Sequence, residues 1–307
     1  MAAGIPPHSG VLMNMLPMLL LLAQDPYQIS VNVDLVVLHT TVRNRQGQFA
    51  TNLKKEDFQV YEDGVKQAIR VFQHEDSAVT VGLVVDHSGS MRHKLPEVIA
   101  AARTFVESSS PEDQMFVVNF NEKVSLGLPA AIPFSNRVDV LTGAIANSAA
   151  EGQTALYDAI AVALRQLEAG TGSKKVLIVI SDGGDNRSSH TLSGVLKLAE
   201  QTSTLIYTIG IFEPEDPDRN PDVLKSLARA TGGEAYFPKE LKAVVDDCSQ
   251  IARDIRHQYT IGYVSSKAAH AGGVHHSVRV TAASAERGKL VVRARSGYVT
   301  PGVGDSK

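Results

Sequence analysis

From residue 28 onward, apolar and polar positions alternate along the chain. "YQISVNVDLVVLHTTVRN" (27–44) sets Ile29, Val31, Val33 and Leu35 on one face of a strand. "GQFA" marks a turn. "KKEDFQVYEDGVKQAIRVFQHE" reads as a hairpin closed at "EDG" (62–64), because Asp-Gly suits a tight turn with left-handed backbone. At about residue 79 the pattern changes. "AVTVGLVVD" is continuously apolar, as expected of a central parallel strand covered on both faces. Helices and strands then take turns. "LPEVIAAARTFVESS" is a helix and "QMFVVNF" a strand. "TALYDAIAVALRQLEAG" is a helix with Leu156, Ile160, Leu164 and Leu167 on one stripe and Gly170 at its C-terminal cap. "KKVLIVISDG" is a second buried strand, "TLSGVLKLAEQ" a helix, and "STLIYTIGIF" a third core strand. "PDVLKSLARATGG" is a helix stopped by glycines, and "AYF" a short edge strand. In the helix "LKAVVDDCSQIARDI", Leu241, Val244, Val245, Cys248, Ile251 and Ile255 share an apolar stripe. From residue 257 the alternation returns in "HQYTIGYVSS", "HHSVRVTAAS" and "GKLVVRARSGYV".

Strands separated by helices predict βαβ units, hence an α/β fold with a doubly wound, mostly parallel sheet. Neither flanking β segment has enough strands to cover a hydrophobic face alone. The expectation is that 25–78 and 256–307 pair into one small β-sandwich, with the α/β domain of residues 79–255 inserted between them.

Composition changes this picture little. Across 307 residues, 43% are hydrophobic and 21% charged, enough for a real core. A net charge of −3 gives no electrostatic reason to expect nucleic acid or an anionic membrane as partner. Cys248 is the only cysteine, which excludes an internal disulfide and zinc sites built from several thiolates. Its place in an apolar stripe reads as a buried structural thiol. The first 24 residues stand apart. "VLMNMLPMLLLLAQ" (11–24) is apolar, interrupted by Pro17 and short for a bilayer span, and reads as the core of a secretory signal peptide with cleavage after Ala23.

The chemistry concentrates where buried strands end. "LVVD-HSGSM" brings Asp86, Ser88 and Ser90 just past one strand, with Gly89 relaxing the turn, and "LIVIS-DGGDN" brings Asp182 past another. "EGQTALYDAI" places Thr154 at a helix N-terminus between them. In an open α/β sheet the carboxyl ends of the strands line the ligand crevice. Oxygen donors without His or Cys suit a hard cation such as Mg²⁺. With only two charged donors, such an ion keeps positive character and open positions for an outside carboxylate. Rival chemistries fit less well. A haloacid-dehalogenase-type phosphotransferase would want a second acid where Ser88 stands. A hydrolase elbow wants glycine where Asp86 stands. A phosphate loop lacks G-K-[ST], and adjacent Asp86, His87 and Ser88 do not fold into a triad. An ordinary Asx/Ser turn accounts for "DHSGS" alone, but not for Thr154 and Asp182 at the ends of the right elements. Three features stand aside from this set. "EPEDPDRNPD" (213–222) is acidic enough to hold Ca²⁺ but reads as a solvated rim loop. "HAGGVHH" groups His270, His275 and His276, a transition-metal possibility with no acid or cysteine nearby in sequence. Asp185 and Asn186 either shape the ligand surface or cap the next helix.

"DHSGS", "GQTALYDA" and "VISDG", in that order, resemble the three-part metal-ion-dependent adhesion site of von Willebrand factor A (VWA) domains, over about residues 79–254. The flanks "VDLVVLHTTVRNRQGQFATNLKKEDFQVYEDG" and "QYTIGYVSS…LVVRARSGYVTP" are similar to the VWFA-related group described from Acidobacteria. The resemblance implies a VWA/Rossmann-like fold and a set of roles. Ser88 and Ser90 would bind Mg²⁺ (or Mn²⁺ or Ca²⁺) directly, and Thr154 directly or through water. Asp86 and Asp182 would act through water or by holding the serines. An Asp or Glu of a protein partner would complete the coordination. His87, Asp185 and Asn186 are candidates for the rim, with His87 beside the metal lending pH sensitivity. The expected function is a secreted, periplasmic or cell-surface adhesion module of a bacterium, without chemistry of its own and not an integral membrane protein. A swing of the helix 241–255 would couple metal occupancy to conformation. The alternatives are a metal-assisted hydrolase, with Asp185, His87 or His93 as general base, and a structural module with a vestigial site.

Overall fold

The structure, a computed structural model, describes residue 1 and residues 35–74, 77–212, 219–267, 273–284 and 289–300. The described residues from 35 onward belong to one compact unit. All but the first residue of the expected leader (1–24), with Ile29, Val31, Val33 and His270, lie outside the described residues.

Four strands open the described chain: β1 (Leu35–Arg43), β2 (Phe58–Glu62), β3 (Val65–Gln67) and β4 (Ile69–Gln73). The Asp63-Gly64 corner between β2 and β3 takes left-handed backbone at both residues (φ 45° and 82°), as the motif requires. In β1, Val36, Leu38 and Val42 turn inward while Leu35 faces solvent. The face assigned to Leu35 from the alternation is thus the outer one, because apolar residues stand on both sides of "DLVVL" and the pattern does not fix the inward side.

The α/β segment follows, with β5 (Val79–Asp86), α1 (Leu95–Glu107), β6 (Gln114–Phe120), β7 (Val124–Leu126), α2 (Val138–Ala146), α3 (Leu156–Glu168), β8 (Lys174–Ser181), α4 (Leu192–Gln201), β9 (Leu205–Gly210), α5 (Pro221–Thr231), β10 (Ala235–Tyr236) and α6 (Ala243–Arg256). Its sheet runs β10-β9-β8-β5-β6-β7, parallel except for β7. Every residue of β5 is buried, as expected of a strand with helices on both faces. The α3 stripe Leu156, Ile160, Leu164 and Leu167 is buried, and so are Val244, Cys248, Ile251 and Ile255 of α6. Gly170 does not cap α3 in the left-handed region. It is needed because a Cβ there would lie 2.4 Å from Thr80 Cγ2. Two elements escaped the sequence reading. Helix α2 carries Val138, Val140, Thr142 and Gly143, poor helix formers, and has no side-chain cap, so packing alone holds it. β7 is a three-residue edge strand.

Four strands close the chain: β11 (Tyr259–Val264), β12 (His275–Ala282), β13 (Val291–Arg293) and β14 (Gly297–Val299). They interleave with the first four in two antiparallel sheets, β13-β1-β11-β4 and β14-β12-β2-β3. Val36, Leu38, Phe58, Val60, Tyr259, Ile261 and Tyr263 fill the core between them. β4 and β11 are direct neighbours with Gln73 opposite Thr260, so the α/β segment leaves and re-enters the sandwich at one point.

The two parts meet across a buried charge network. Asp254 of α6 is fully buried and accepts from Arg43 of β1 (3.2 Å), from Arg293 of β13, and from Tyr207 Oη (2.5 Å). Glu234 lies 3.3 Å from both arginines. Lys174 Nζ donates to the Ile255 carbonyl (3.0 Å). Removing one partner of such a buried cluster strands the others in low dielectric. Asp254→Ala is therefore expected to lower unfolding free energy by about 3–5 kcal/mol, read by urea titration. A loss below about 1 kcal/mol would mean that the network adds nothing. His39 of β1 is buried, and that burial, with Lys174 and Arg295 nearby, pushes its pKa down from 6.5 to about 3. The folded chain thus refuses a proton that the unfolded chain takes. This group's contribution is complete above pH 6.5 and declines as pH falls from 6.5 toward 3. His39→Leu should flatten the stability slope across that window in urea titrations at stepped pH.

Candidate metal centre

Asp86 ends β5 and Ser181 ends β8, the two central neighbours of the parallel sheet. From β5 the chain moves outward to β6 on one side, then returns to β8 on the other. The crevice outside these two strand ends is thus the switch point where such sheets bind ligands.

Four of the expected residues are joined there by hydrogen bonds. Asp86 Oδ1 accepts from Ser88 N (2.8 Å), and Ser88 Oγ lies 3.1 Å from Ser90 Oγ. Ser90 Oγ donates to Asp182 Oδ2 (2.6 Å). Asp86, Ser88 and Asp182 are buried and Ser90 is half-buried. Gly89 opens a short 3₁₀ turn over 89–91 with room for a Cβ, whose nearest neighbour would be 3.8 Å away. The turn therefore does not depend on glycine there.

Thr154 sits two residues before α3 rather than on it, and its hydroxyl makes no hydrogen bond to the other four side chains among the described residues. Its segment is nonetheless stitched to both others. Gly89 N donates to Gly152 O (3.2 Å) and Glu151 N to His87 O (2.9 Å). Thr154 N donates to Asn186 Oδ1 (3.0 Å), and its carbonyl accepts from Asn186 N and Arg187 N, each at 3.1 Å.

Ser181 was missed in the sequence, although a serine ending an otherwise apolar strand was the available signal. Its hydroxyl donates to Asp86 Oδ2 (2.6 Å), which fixes the carboxylate at the second oxygen. Burial, and then the charge of Asp182, push the Asp86 pKa up to about 6 against the bonds from Ser181 and Ser88. A divalent cation among these oxygens would reverse that balance by favouring the ionised form. The donor set of carboxylates and hydroxyls, with no nitrogen or sulfur, fits a hard cation.

The three residues expected at the rim each bond to backbone around the site. His87 is fully buried, with Nδ1 3.1 Å from the Val85 carbonyl and Nε2 3.0 Å from that of Ile145. It props the backbone under the site and does not line the rim. Asp185 Oδ2 accepts from Tyr157 N (3.0 Å) and from Ser188 Oγ (2.6 Å). Asp185 thus caps α3, which precedes it in the chain, whereas the next helix, α4, is capped by Thr191. Asn186 holds Thr154 in place. Within "EPEDPDRNPD", residues 213–218 lie outside the described residues, Asn220 caps α5 and Asp222 pairs with Lys225. Burial pushes the Cys248 thiol up to about 12, in keeping with a structural role.

The family model for the von Willebrand factor type A domain matches residues 80–250. The chain belongs to that family. Among solved structures, a von Willebrand factor type A protein from Catenulispora acidiphila is 17% identical with a TM-score of 0.52, the match covering 82% of this chain and 74% of that one. Proximal thread matrix protein 1 from the mussel byssus is 16% identical with a TM-score of 0.51, covering 64% of this chain and 51% of that one. At these identities the likeness concerns the VWA fold. Among curated proteins no sequence matches.

The capping role has its own consequence. Asp185→Ala should cost roughly 1–2 kcal/mol of stability through the lost cap, read by thermal or urea unfolding. Asp185→Asn, which keeps an acceptor oxygen, should recover most of it. Equal losses in both variants would show that charge, not capping, is what matters.

Proposed function

We propose that this VWA chain is a protein-binding module that holds a divalent cation of the magnesium class (Mg²⁺, or Mn²⁺ or Ca²⁺) in the crevice and uses it to capture an Asp or Glu of a partner. The observation that carries the reading is the hydrogen-bonded chain Asp86–Ser88–Ser90–Asp182 at the sheet's switch point. The cation supplies a positive centre with open coordination positions. Ser88, Ser90 and Thr154 offer neutral oxygens to it, while Asp86 and Asp182 offset its charge and orient the serines. Ser181, through Asp86, is a positioning residue one step removed. Because only two donors are charged, the bound ion keeps a demand for one more anion, which an acidic partner side chain meets.

The hydrolase reading needs a free general base beside the ion. Of the three candidates, His87 is committed to two backbone carbonyls and Asp185 to the α3 cap, which leaves His93. That distribution favours binding over turnover. Export is part of the proposal and rests on the apolar run 11–24. Among the described residues no helix is long and apolar enough to cross a membrane. Motion of α6 with metal occupancy would have to work against the Asp254 ion pairs at its C-terminal turn.

Isothermal titration of Mg²⁺ and Mn²⁺ into the chain tests the metal, with wild type beside the double variant Asp86→Ala, Ser88→Ala. One ion per chain, lost in the variant, is the expected result. Pull-downs with and without EDTA then test the partner. Binding that survives EDTA would favour the structural module, and ester or phosphodiester turnover abolished by Asp86→Ala would favour the hydrolase. Ser181→Ala should weaken Mn²⁺ binding on the order of tenfold while leaving one site per chain.

A further inference from the structure

Within the histidine-rich stretch identified in the sequence, the two described histidines turn to opposite sides of their strand. His275 faces solvent, while His276, next to it on β12, turns inward. There it meets the acids that the sequence had placed more than two hundred residues away. Asp63 Oδ2 lies 2.8 Å from His276 Nδ1, and Glu62 Oε1 lies 3.9 Å from it. The side chains of Glu62 and His276 are 0% and 7% exposed, and that of Asp63 is 26% exposed.

We propose that Glu62, Asp63 and His276 form a second metal site, for a transition-metal ion of the zinc class, at the β2–β3 hairpin corner of the sandwich. One ligand atom from each residue lies within 4.8 Å of the other two. Ligand atoms about 2.0–2.2 Å from a tetrahedral zinc stand about 3.3–3.6 Å apart. The separations of 2.8 and 3.9 Å from His276 Nδ1 to the two carboxylates bracket that spacing. One imidazole nitrogen with two carboxylates suits zinc-class ions better than the all-oxygen crevice does.

The surrounding bonds are those of a supported site. Asp63 Oδ1 is held by Ser277 N (2.8 Å) and Ser277 Oγ (3.1 Å), which leaves Oδ2 toward His276. Glu62 is steadied by Ser265 Oγ (2.6 Å) on one oxygen and Tyr298 Oη (3.1 Å) on the other. The Asp63-Gly64 turn breaks the strand alternation, so consecutive acids reach the same place. Tyr263 is fully buried, and its hydroxyl faces the Glu62 carboxylate from the inner wall. On the outer side Lys267 Nζ pairs with Asp63 Oδ2, and its side chain is 38% exposed. Lys267 is the counter-charge of the metal-free state and can swing into solvent when an ion arrives.

The competition between Lys267 and metal separates a binding site from a mere ion-pair cluster. Zn²⁺ is titrated by calorimetry into the full chain carrying Asp86→Ala and Ser88→Ala, which removes the crevice from the count. One Zn²⁺ per chain is expected. Adding His276→Gln should weaken it by at least about tenfold, and adding Lys267→Met should tighten it several-fold. Thermal melts should rise with Zn²⁺ in the parent and in Lys267→Met, but not in His276→Gln. No Zn²⁺ binding in the parent overturns the proposal, as does affinity that ignores both added substitutions. If His276→Gln does not fold, the Lys267→Met arm decides alone. These outcomes are independent of whether the crevice binds Mg²⁺.

Discussion

A carboxylate taken out of water must be given back what water supplied, and this chain meets that demand differently at three places. At Asp254 two arginines and a tyrosine hydroxyl surround the charge, and the result is a joint between two folded parts. At Glu62 neutral hydroxyls from Ser265 and Tyr298 do the work, with His276 close by. At Asp86 and Asp182 the neighbours are serines, and the charge of one carboxylate disfavours the other. There the two carboxylates and the serine hydroxyls form one hydrogen-bonded set of oxygens at the strand ends. The turns that carry the pair follow β5 and β8, which are paired in register over most of their lengths.

Much of the architecture could be read along the chain because the local signals agree with the final packing. The continuous apolar run of β5 and the stripes of α3 and α6 are the same surfaces that become the core. The Asp-Gly corner is another such case. Helix α2 was illegible because Val138, Val140, Thr142 and Gly143 are poor helix formers and no side chain caps it. Leu35 was ambiguous for the opposite reason, since apolar residues on both sides of the strand leave its inward face undetermined.

The site divides along the same line. Asp86, Ser88, Ser90 and Asp182 belong to short, recognisable turns, and the structure links them. Ser181 resisted recognition because its importance lies in a bond to a residue on the adjacent strand. For His87, adjacency in sequence to Asp86 and Ser88 did not reveal that its ring turns to the backbone carbonyls of Val85 and Ile145. Glu62, Asp63 and His276 show the limit most plainly, because only the pairing of β2 with β12 brings them together.

The α/β segment departs after β4 and returns to β11 where these two strands are hydrogen-bonded neighbours. Strands β1 and β14, which bracket the described fold, both lie in the sandwich. Tension applied between them therefore meets the ladders of the sandwich first, and the covalent path through the inserted segment is loaded only after those ladders part.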